Sequence, residues 1–129
     1  MSSVTPYVMV RSANEFIEFI GAAFEAEVVN RVPLSTDPER VIHAEARIGE
    51  STLFFADGGA DGRQCLPTPT DPAHVQLWTT VPDPEAVHAR AVAGGANSAM
   101  PVTVQDDGSR MGGFVDPFGT LWWVSSTRP

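Results

Sequence analysis

Cysteine is almost absent from this 129-residue chain, which contains Cys65 alone. One cysteine cannot form an intrachain disulfide, and the paired cysteine spacings of structural zinc sites are missing as well. These absences favour a reducing compartment, so we expect a cytoplasmic protein. Cys65 lies in a stretch rich in glycine and proline with no evident activating partner, and we interpret it as an incidental thiol.

Long apolar runs are missing too. No stretch approaches the roughly 18 apolar residues that suggest a membrane-spanning helix. The N-terminal segment, Met1–Pro6, has no basic region followed by a long apolar run. We therefore expect neither a membrane span nor a signal peptide.

Positive charge is scarce, because 8 Lys and Arg residues stand against 16 Asp and Glu, for a net charge of −8. Such a surface repels nucleic acid and anionic membranes, so we expect neither as a partner, whereas a cationic ligand would be mildly attracted. A hydrophobic content of 43% and a mean hydropathy of −0.05 are typical of a soluble globular protein. The length fits a single domain, 1–129.

The motifs of several common enzyme classes are also missing. The sequence has no Gly-x-Ser-x-Gly nucleophile motif, no phosphate-binding loop and no dinucleotide-binding glycine pattern. Asp106 and Asp107 precede Gly108 in a turn, which explains them without catalysis. The sequence therefore gives little support for an enzyme.

What the chain does contain is a repeated strand. Thr52–Phe55 reads Thr-Leu-Phe-Phe, and Thr120–Trp123, about half the chain further on, reads Thr-Leu-Trp-Trp. We interpret the pair as one β-strand used twice, which indicates a duplicated module.

Periodicity and turn residues predict the same element order, β-α-β-β-β, in each half. Ser12 or Asn14 is expected to cap the first helix, and Asp83 the second, with Pro84 in its first turn and Gly94 at its end. Strands are predicted at 4–10, 27–32, 41–48, 51–56, 74–80, 98–105, 110–115 and 120–126. The first helix is predicted at 13–25 and a loop at 33–39. A connector at 57–72 is expected to join the two modules, at about 4–56 and 73–127.

This order and several local motifs resemble the vicinal-oxygen-chelate superfamily, in particular its small glyoxalase/bleomycin-resistance-like branch. The motifs are Pro6-Tyr7, the segments 16–20, 23–27 and 43–51, and Asp116-Pro117-Phe118-Gly119 with Trp122. The resemblance implies an α+β fold of tandem βαβββ modules with curved mixed sheets and a concave cavity. It also implies a homodimer, in which the modules pair within one chain or swap across the dimer.

Enzymes of this superfamily hold a divalent metal with His and Glu from the first and last strands of each module. In the first strands, the matching positions are a stretch near 4–7 in module one and His74 in module two. In the last strands, they are Phe54 or Phe55 in module one and Trp122 or Trp123 in module two, and the repeat favours Phe55 and Trp123. One metal-capable side chain, His74, stands among these four positions, so we predict no metal at the family site. A displaced site built from His43, Glu45 and His74 is the alternative.

The aromatic residues at these positions suggest a ligand site instead. If the former ligand positions face the cavity, Phe55 and Trp123 line it, while Phe54 and Trp122 turn toward the helices. Polar side chains on neighbouring strands would orient the ligand. The candidate ligand-binding residues are Trp123, Phe55, Trp78, His43, Glu45, Arg47, His74 and Gln76. The competing interpretation is that the aromatics fill a core or dimer interface and that His43 and Glu45 form structural hydrogen bonds.

We therefore predict a metal-free, cofactor-free, cytoplasmic homodimer that sequesters a planar aromatic or apolar small molecule. By resemblance to bleomycin-resistance proteins, the ligand is expected to be an antibiotic, such as a peptide antibiotic carrying a flat chromophore. The alternatives are a metal-dependent lyase, isomerase or dioxygenase of the glyoxalase type and a structural or regulatory dimer with a filled cavity.

Overall fold

The computed structural model describes residues 5–58 and 76–127, which form two helices and eight strands. In chain order these are β1 (Tyr7–Val10), α1 (Ala13–Phe24), β2 (Glu27–Leu34), β3 (Asp37–Ile48), β4 (Ser51–Asp57), β5 (Gln76–Thr80), α2 (Pro84–Ala93), β6 (Asn97–Val104), β7 (Arg110–Val115) and β8 (Leu121–Ser125). The predicted α+β fold of two βαβββ modules is confirmed. The chain divides into two compact units, Met1–Pro72 and Ala73–Pro129. Most of the predicted connector lies outside the described residues.

Each unit contains one four-stranded mixed sheet. The strand order is β1-β4-β3-β2 in the first unit and β5-β8-β7-β6 in the second. β1 pairs with β4 and β5 with β8 in parallel, while the remaining neighbours are antiparallel. Each unit supplies one helix, which packs on one face of its own sheet. We call the opposite face the helix-distal face.

Helix α1 begins where the sequence predicts it. The Ser12 hydroxyl accepts a hydrogen bond from the Glu15 backbone N–H at 3.2 Å, which satisfies one of the free donors of the first turn. The helix ends at Glu25, whose φ of 58° is left-handed, and the Glu25 N–H bonds back to the Gly21 carbonyl. Its buried stripe packs on the sheet and consists of Ala13, Phe16, Phe19, Ile20, Ala23 and Phe24.

The loop predicted at 33–39 is wrong, because β2 continues to Leu34 and β3 already begins at Asp37. β2 lies at the sheet edge, where Pro33 can be accommodated without a ladder donor, and the register shifts on both sides of it. The Arg31 guanidinium donates to the Pro38 carbonyl at 3.1 Å and to the Asn14 side-chain oxygen. These bonds tie the hairpin to α1.

A buried carboxylate fixes the first unit's helix to its sheet. The Asp57 side chain is 2% exposed and accepts hydrogen bonds from the backbone N–H groups of Ala13, at 2.9 Å, and Val41, at 2.5 Å. The register of β2 on β3 shifts between Val41 and His43, so strict alternation breaks there and Val41 is buried. Asp57 therefore joins the end of β4 to the start of α1 and to this irregular part of β3.

Helix α2 also follows its sequence signals. The Asp83 carboxylate accepts from the Ala86 N–H at 3.2 Å, Pro84 occupies the first turn, and Gly94 ends the helix. The ring of His88 on α2 lies 6.2 Å from the ring of Phe114 on β7, so Phe114 faces the helix.

The two adjacent aromatics of β4 do not face as the sequence repeat suggests. Phe55 is fully buried, and its ring meets that of Phe16 on α1 at 4.9 Å in an edge-to-face contact. Phe54 lies on the helix-distal face, where its ring contacts Tyr7 and His43. The prediction that Phe55 faces the helix-distal side is wrong by one residue.

In β8 the predicted orientation is confirmed. Trp122 pairs with the helix-facing Phe114, is 2% exposed, and donates its indole N–H to the Asp116 carboxylate at 2.8 Å. The other oxygen of Asp116 accepts from the Phe118 and Thr120 N–H groups, so one buried side chain shapes the turn and anchors the indole. Trp123 consequently faces the helix-distal side.

The repeated letters thus start at different points of the two strands. Thr52 is already in the ladder, paired with Arg47, whereas Thr120 still belongs to the turn held by Asp116. Because side chains alternate with a period of two, the two copies are out of step by an odd number of residues: Leu53 and Phe55 are buried in β4, whereas Trp122 and Val124 are buried in β8. The structural equivalents are Phe54 with Trp123.

Replacing each aromatic of β4 by alanine tests this register. Phe55→Ala removes a fully buried ring and should lower the free energy of unfolding by about 3–5 kcal/mol. Phe54→Ala, the matched change one residue away, should cost less than half as much because that ring is only half-buried. Urea denaturation of both variants is the measurement, and a larger loss for Phe54→Ala would contradict the assigned register.

Candidate functional site

The helix-distal face of the second sheet presents two neighbouring tryptophans. Trp78 on β5 is directly opposite Trp123 on β8, and the next pair along, Leu77 with the buried Trp122, faces the helix. Trp78 is 60% exposed, which is unusual for the largest apolar side chain. Two large aromatic groups therefore share one face of this unit.

The Trp123 indole lies flat across the sheet and is fixed at both ends. A methyl group placed on Gly113 of β7 would lie 2.6 Å from Trp123 Cε3, so the six-membered ring rests on the bare Gly113 backbone. On the opposite side the indole Nε1 donates to Gln76 Oε1 on β5 at 2.8 Å. The ring thus reaches from Gly113 on β7 across β8 to Gln76 on β5 in one orientation.

A cleft of about 540 Å³ opens beside Trp78, on the side away from Gln76. Its floor includes alternating helix-distal residues of three strands, and one wall comes from the β6–β7 turn. The lining residues are Trp78, Thr80, Gln105, Asp107, Ser109, Met111, Ser125, Ser126 and Thr127. Trp123 is the neighbour of Trp78 behind the cleft rather than part of its lining.

The polar side of the cleft is built around one carboxylate. Asp107 Oδ1 accepts from the Ser109 N–H at 2.9 Å and from the Ser109 hydroxyl at 2.6 Å. The Gln105 amide nitrogen donates to the Thr103 hydroxyl and carbonyl. These bonds hold hydrogen-bonding groups and a negative charge within reach of the space that Trp78 borders.

The first unit brings together a different set on its helix-distal face. His43 Nε2 lies 2.8 Å from Glu45 Oε2, and His43 Nδ1 lies 3.2 Å from the Tyr7 hydroxyl. Phe54 packs beneath them, with its ring centroid 5.0 Å from that of His43. The side chains of His43 and Glu45 are 28% and 29% exposed, so the cluster is shielded without being sealed.

The structure places only part of the predicted site on these two faces, because Phe55 is buried against α1. His43 and Glu45 form one contact pair, and Gln76 and Trp123 form another. Arg47 is exposed further along β3, and His74 lies outside the described residues.

Two residues that sequence reasoning missed are central to the faces. Tyr7 joins the His43–Glu45 pair, and Gly113 supports the Trp123 ring. The sequence does contain a signal for Gly113. A glycine inside a predicted strand often marks a place where another group approaches the backbone closely.

Within residues 5–58 and 76–127 no three His, Cys, Asp or Glu side chains are arranged to hold a metal ion. In the same part of the chain, neither helix has the length and apolar character needed to cross a membrane.

Comparison with protein sequences finds mycobacterial relatives. Mb0911c of Mycobacterium bovis is 32% identical over 124 residues, covering 93% of this chain and 80% of that protein. Rv0887c of Mycobacterium tuberculosis is also 32% identical over 124 residues, covering 93% of this chain and 71% of that protein. No protein-family model matches the sequence.

Comparison with solved structures supports the vicinal-oxygen-chelate fold. TioX from Micromonospora sp. ML1 superposes with a TM-score of 0.73 at 17% identity, covering 98% of this chain and 96% of that one. A glyoxalase-related enzyme from Fulvimarina pelagi gives 0.71 at 17%, covering 98% and 89%. The fosfomycin resistance protein FosX from Listeria monocytogenes gives 0.69 at 15%, covering 98% and 93%. At these identities the likeness establishes the fold alone.

A methyl group at residue 113 should displace the fixed indole. Gly113→Ala is expected to destabilise the fold by about 1–3 kcal/mol through overpacking and to shift the tryptophan emission maximum. Gly21→Ala is the matched control, because the nearest atom to its new methyl is 4.0 Å away, and it should stabilise α1 by about 0.5–1 kcal/mol. Unchanged emission and stability in Gly113→Ala would contradict the described position of Trp123.

Proposed function

The chain belongs to the family of the mycobacterial proteins Mb0911c and Rv0887c, and we propose that it binds and sequesters a planar aromatic small molecule without using a metal. We place it in the small glyoxalase/bleomycin-resistance-like branch of its superfamily. In this proposal binding lowers the free concentration of the ligand, and no bond is made or broken.

The observation that carries the proposal is the exposed Trp78 at the mouth of a cleft, beside an indole already fixed flat. Leaving a tryptophan 60% exposed forgoes most of the free energy that its burial would contribute. Stacking of a flat ring on an aromatic side chain contributes about 0.5–1.5 kcal/mol beyond area burial. Gly113 and Gln76 already orient Trp123, and Trp123 is the cross-strand neighbour of Trp78, so we propose that the fixed indole limits the ordering cost when a ligand stacks on Trp78.

The charge of the site favours a cationic ligand. Asp107 lines the cleft, and the chain carries a net charge of −8. The Ser109 and Ser125 hydroxyls donate to Asp107 and to the Ser126 carbonyl, so they present acceptor lone pairs to the cleft, and Thr80 adds a third hydroxyl. A flat cation with hydrogen-bonding substituents matches this combination of surfaces.

An antibiotic remains our choice of ligand class. FosX is by name a fosfomycin resistance protein, which shows that this scaffold has served resistance elsewhere. In this chain an aromatic side chain occupies the helix-distal position of each module's last strand, Phe54 in β4 and Trp123 in β8. We propose that self-protection by sequestration takes place in the cytoplasm, in a homodimer.

The alternative function is a metal-dependent lyase, isomerase or dioxygenase. Metal analysis distinguishes such an enzyme from a metal-free binding protein. We expect purified protein, dialysed against buffer containing Mn²⁺, Zn²⁺ or Fe²⁺, to retain less than one tenth of an equivalent of metal. A stoichiometric ion that disappears in the His43→Ala variant would favour the enzyme over the binding protein.

Calorimetric titration with proflavine, a flat tricyclic cation, tests binding directly. Trp78→Ala and Trp123→Ala should each raise the dissociation constant at least tenfold, which corresponds to about 1.4 kcal/mol. Asp107→Asn should lower the affinity for proflavine. The affinity for the flat anion anthraquinone-2-sulfonate should be unchanged or slightly higher.

Val92→Ala is the control variant, since Val92 is an exposed apolar residue of α2 in the same unit but outside the cleft. It should bind proflavine as the parent does. Equal affinity in the parent, Trp78→Ala and Trp123→Ala, with all variants folded by circular dichroism, would refute the binding site.

A further inference from the structure

The Tyr7–His43–Glu45 cluster of the first unit has the geometry of an activated nucleophile rather than of a binding surface. A carboxylate can only accept hydrogen bonds, so the 2.8 Å contact with Glu45 assigns the proton of a neutral His43 to Nε2. His43 Nδ1 then carries the lone pair, and the Tyr7 hydroxyl, 3.2 Å away, donates to it. The tautomer follows from this network rather than from observed hydrogens.

The arrangement meets the requirement for nucleophilic catalysis. A hydroxyl lies within hydrogen-bonding distance of a base, and a third group orients that base. Strand pairing brings these side chains together. β4 lies between β1 and β3, and Phe54 on β4 pairs with Tyr7 on one side and Glu45 on the other. Tyr7 is 39% exposed, so the residue is not sealed within the cluster.

We propose that Tyr7 is an acyl acceptor for activated aryl esters, with His43 as its general base and Glu45 as the residue that positions His43. The Phe54 ring lies edge-on to Tyr7, at 6.2 Å and 88°, and to His43, at 5.0 Å and 75°. It supplies an apolar wall on which the aryl portion of the ester rests. This activity is independent of the aromatic site on the second unit.

The reaction balances within these groups. Tyr7 Oη bonds to the ester carbonyl carbon as its proton moves to His43 Nδ1, and the imidazolium is stabilised by the Glu45 carboxylate. The carbon–oxygen bond to the aryl group then breaks, and the leaving aryloxide takes the proton from His43. Water then attacks the acyl carbon as His43 accepts its proton, the bond from that carbon to Tyr7 Oη breaks, and Tyr7 Oη takes the proton back from His43 as the carboxylic acid leaves.

Acetylation by 4-nitrophenyl acetate tests this proposal, because the chain has few competing nucleophiles. Tyr7 is its single tyrosine, the sequence contains no lysine, and Cys65→Ser removes the one competing thiol. In that background we expect a burst of 4-nitrophenol and one acetyl group on Tyr7, located by peptide mass spectrometry.

Variants separate the three roles. His43→Ala should slow acetylation of Tyr7 at least tenfold and abolish the solvent deuterium isotope effect of the parent reaction, which loss of a merely structural contact would leave in place. Glu45→Gln, whose amide oxygen can still accept from Nε2, should retain more of the rate than Glu45→Ala. His88→Gln changes a histidine on α2 of the other unit and should have no effect.

Two results would overturn the proposal. Tyr7→Phe that keeps the full burst would assign the nucleophile elsewhere, His43 included. Equal acetylation of Tyr7 in the parent and in a folded His43→Ala variant would reduce the cluster to structural hydrogen bonds.

Discussion

One helix per four-stranded sheet is the constraint on which the other features depend. A single helix covers one face, so every strand must place its apolar residues toward that helix at alternate positions. In the first unit the contact between Phe16 and Phe55 sets this parity, and in the second the pairing of Trp122 with Phe114 does so. The strand residues proposed to bind or react, among them Trp78 and His43, lie on the other face as a direct consequence.

The fold was largely predictable from the sequence because its signals are local. Ser12 and Asp83 are good helix caps, Gly94 ends α2, and the β7 bounds agree with the sequence at both ends. The hairpin of β2 and β3 was not predictable, since Pro33 and Pro38 resemble loop residues. It depends on the edge position of β2 and on hydrogen bonds from Arg31 to distant partners.

The candidate site was predictable only in part, because face assignment depends on where a strand begins. Asp116 binds the Trp122 indole and keeps Thr120 in the turn, whereas Thr52 has already entered β4. The Trp122 indole has an N–H that can bind Asp116, whereas the phenylalanines of β4 have no side-chain donor. The repeated letters therefore do not reveal that the two strands are out of step. Tyr7 was missed because its role depends on His43, which is 36 positions away.

The two helix-distal faces have diverged chemically on one scaffold. The first carries a tyrosine, a histidine and a glutamate over Phe54, and the second carries Trp78 beside Trp123, which rests on Gly113. Binding of flat aromatics to the tryptophan face is tested most directly by a crystal structure of the protein soaked with proflavine. The tricyclic ring should lie against Trp78, parallel to the Trp123 indole; a ring bound elsewhere, or a Trp78 covered by protein side chains, would contradict this site.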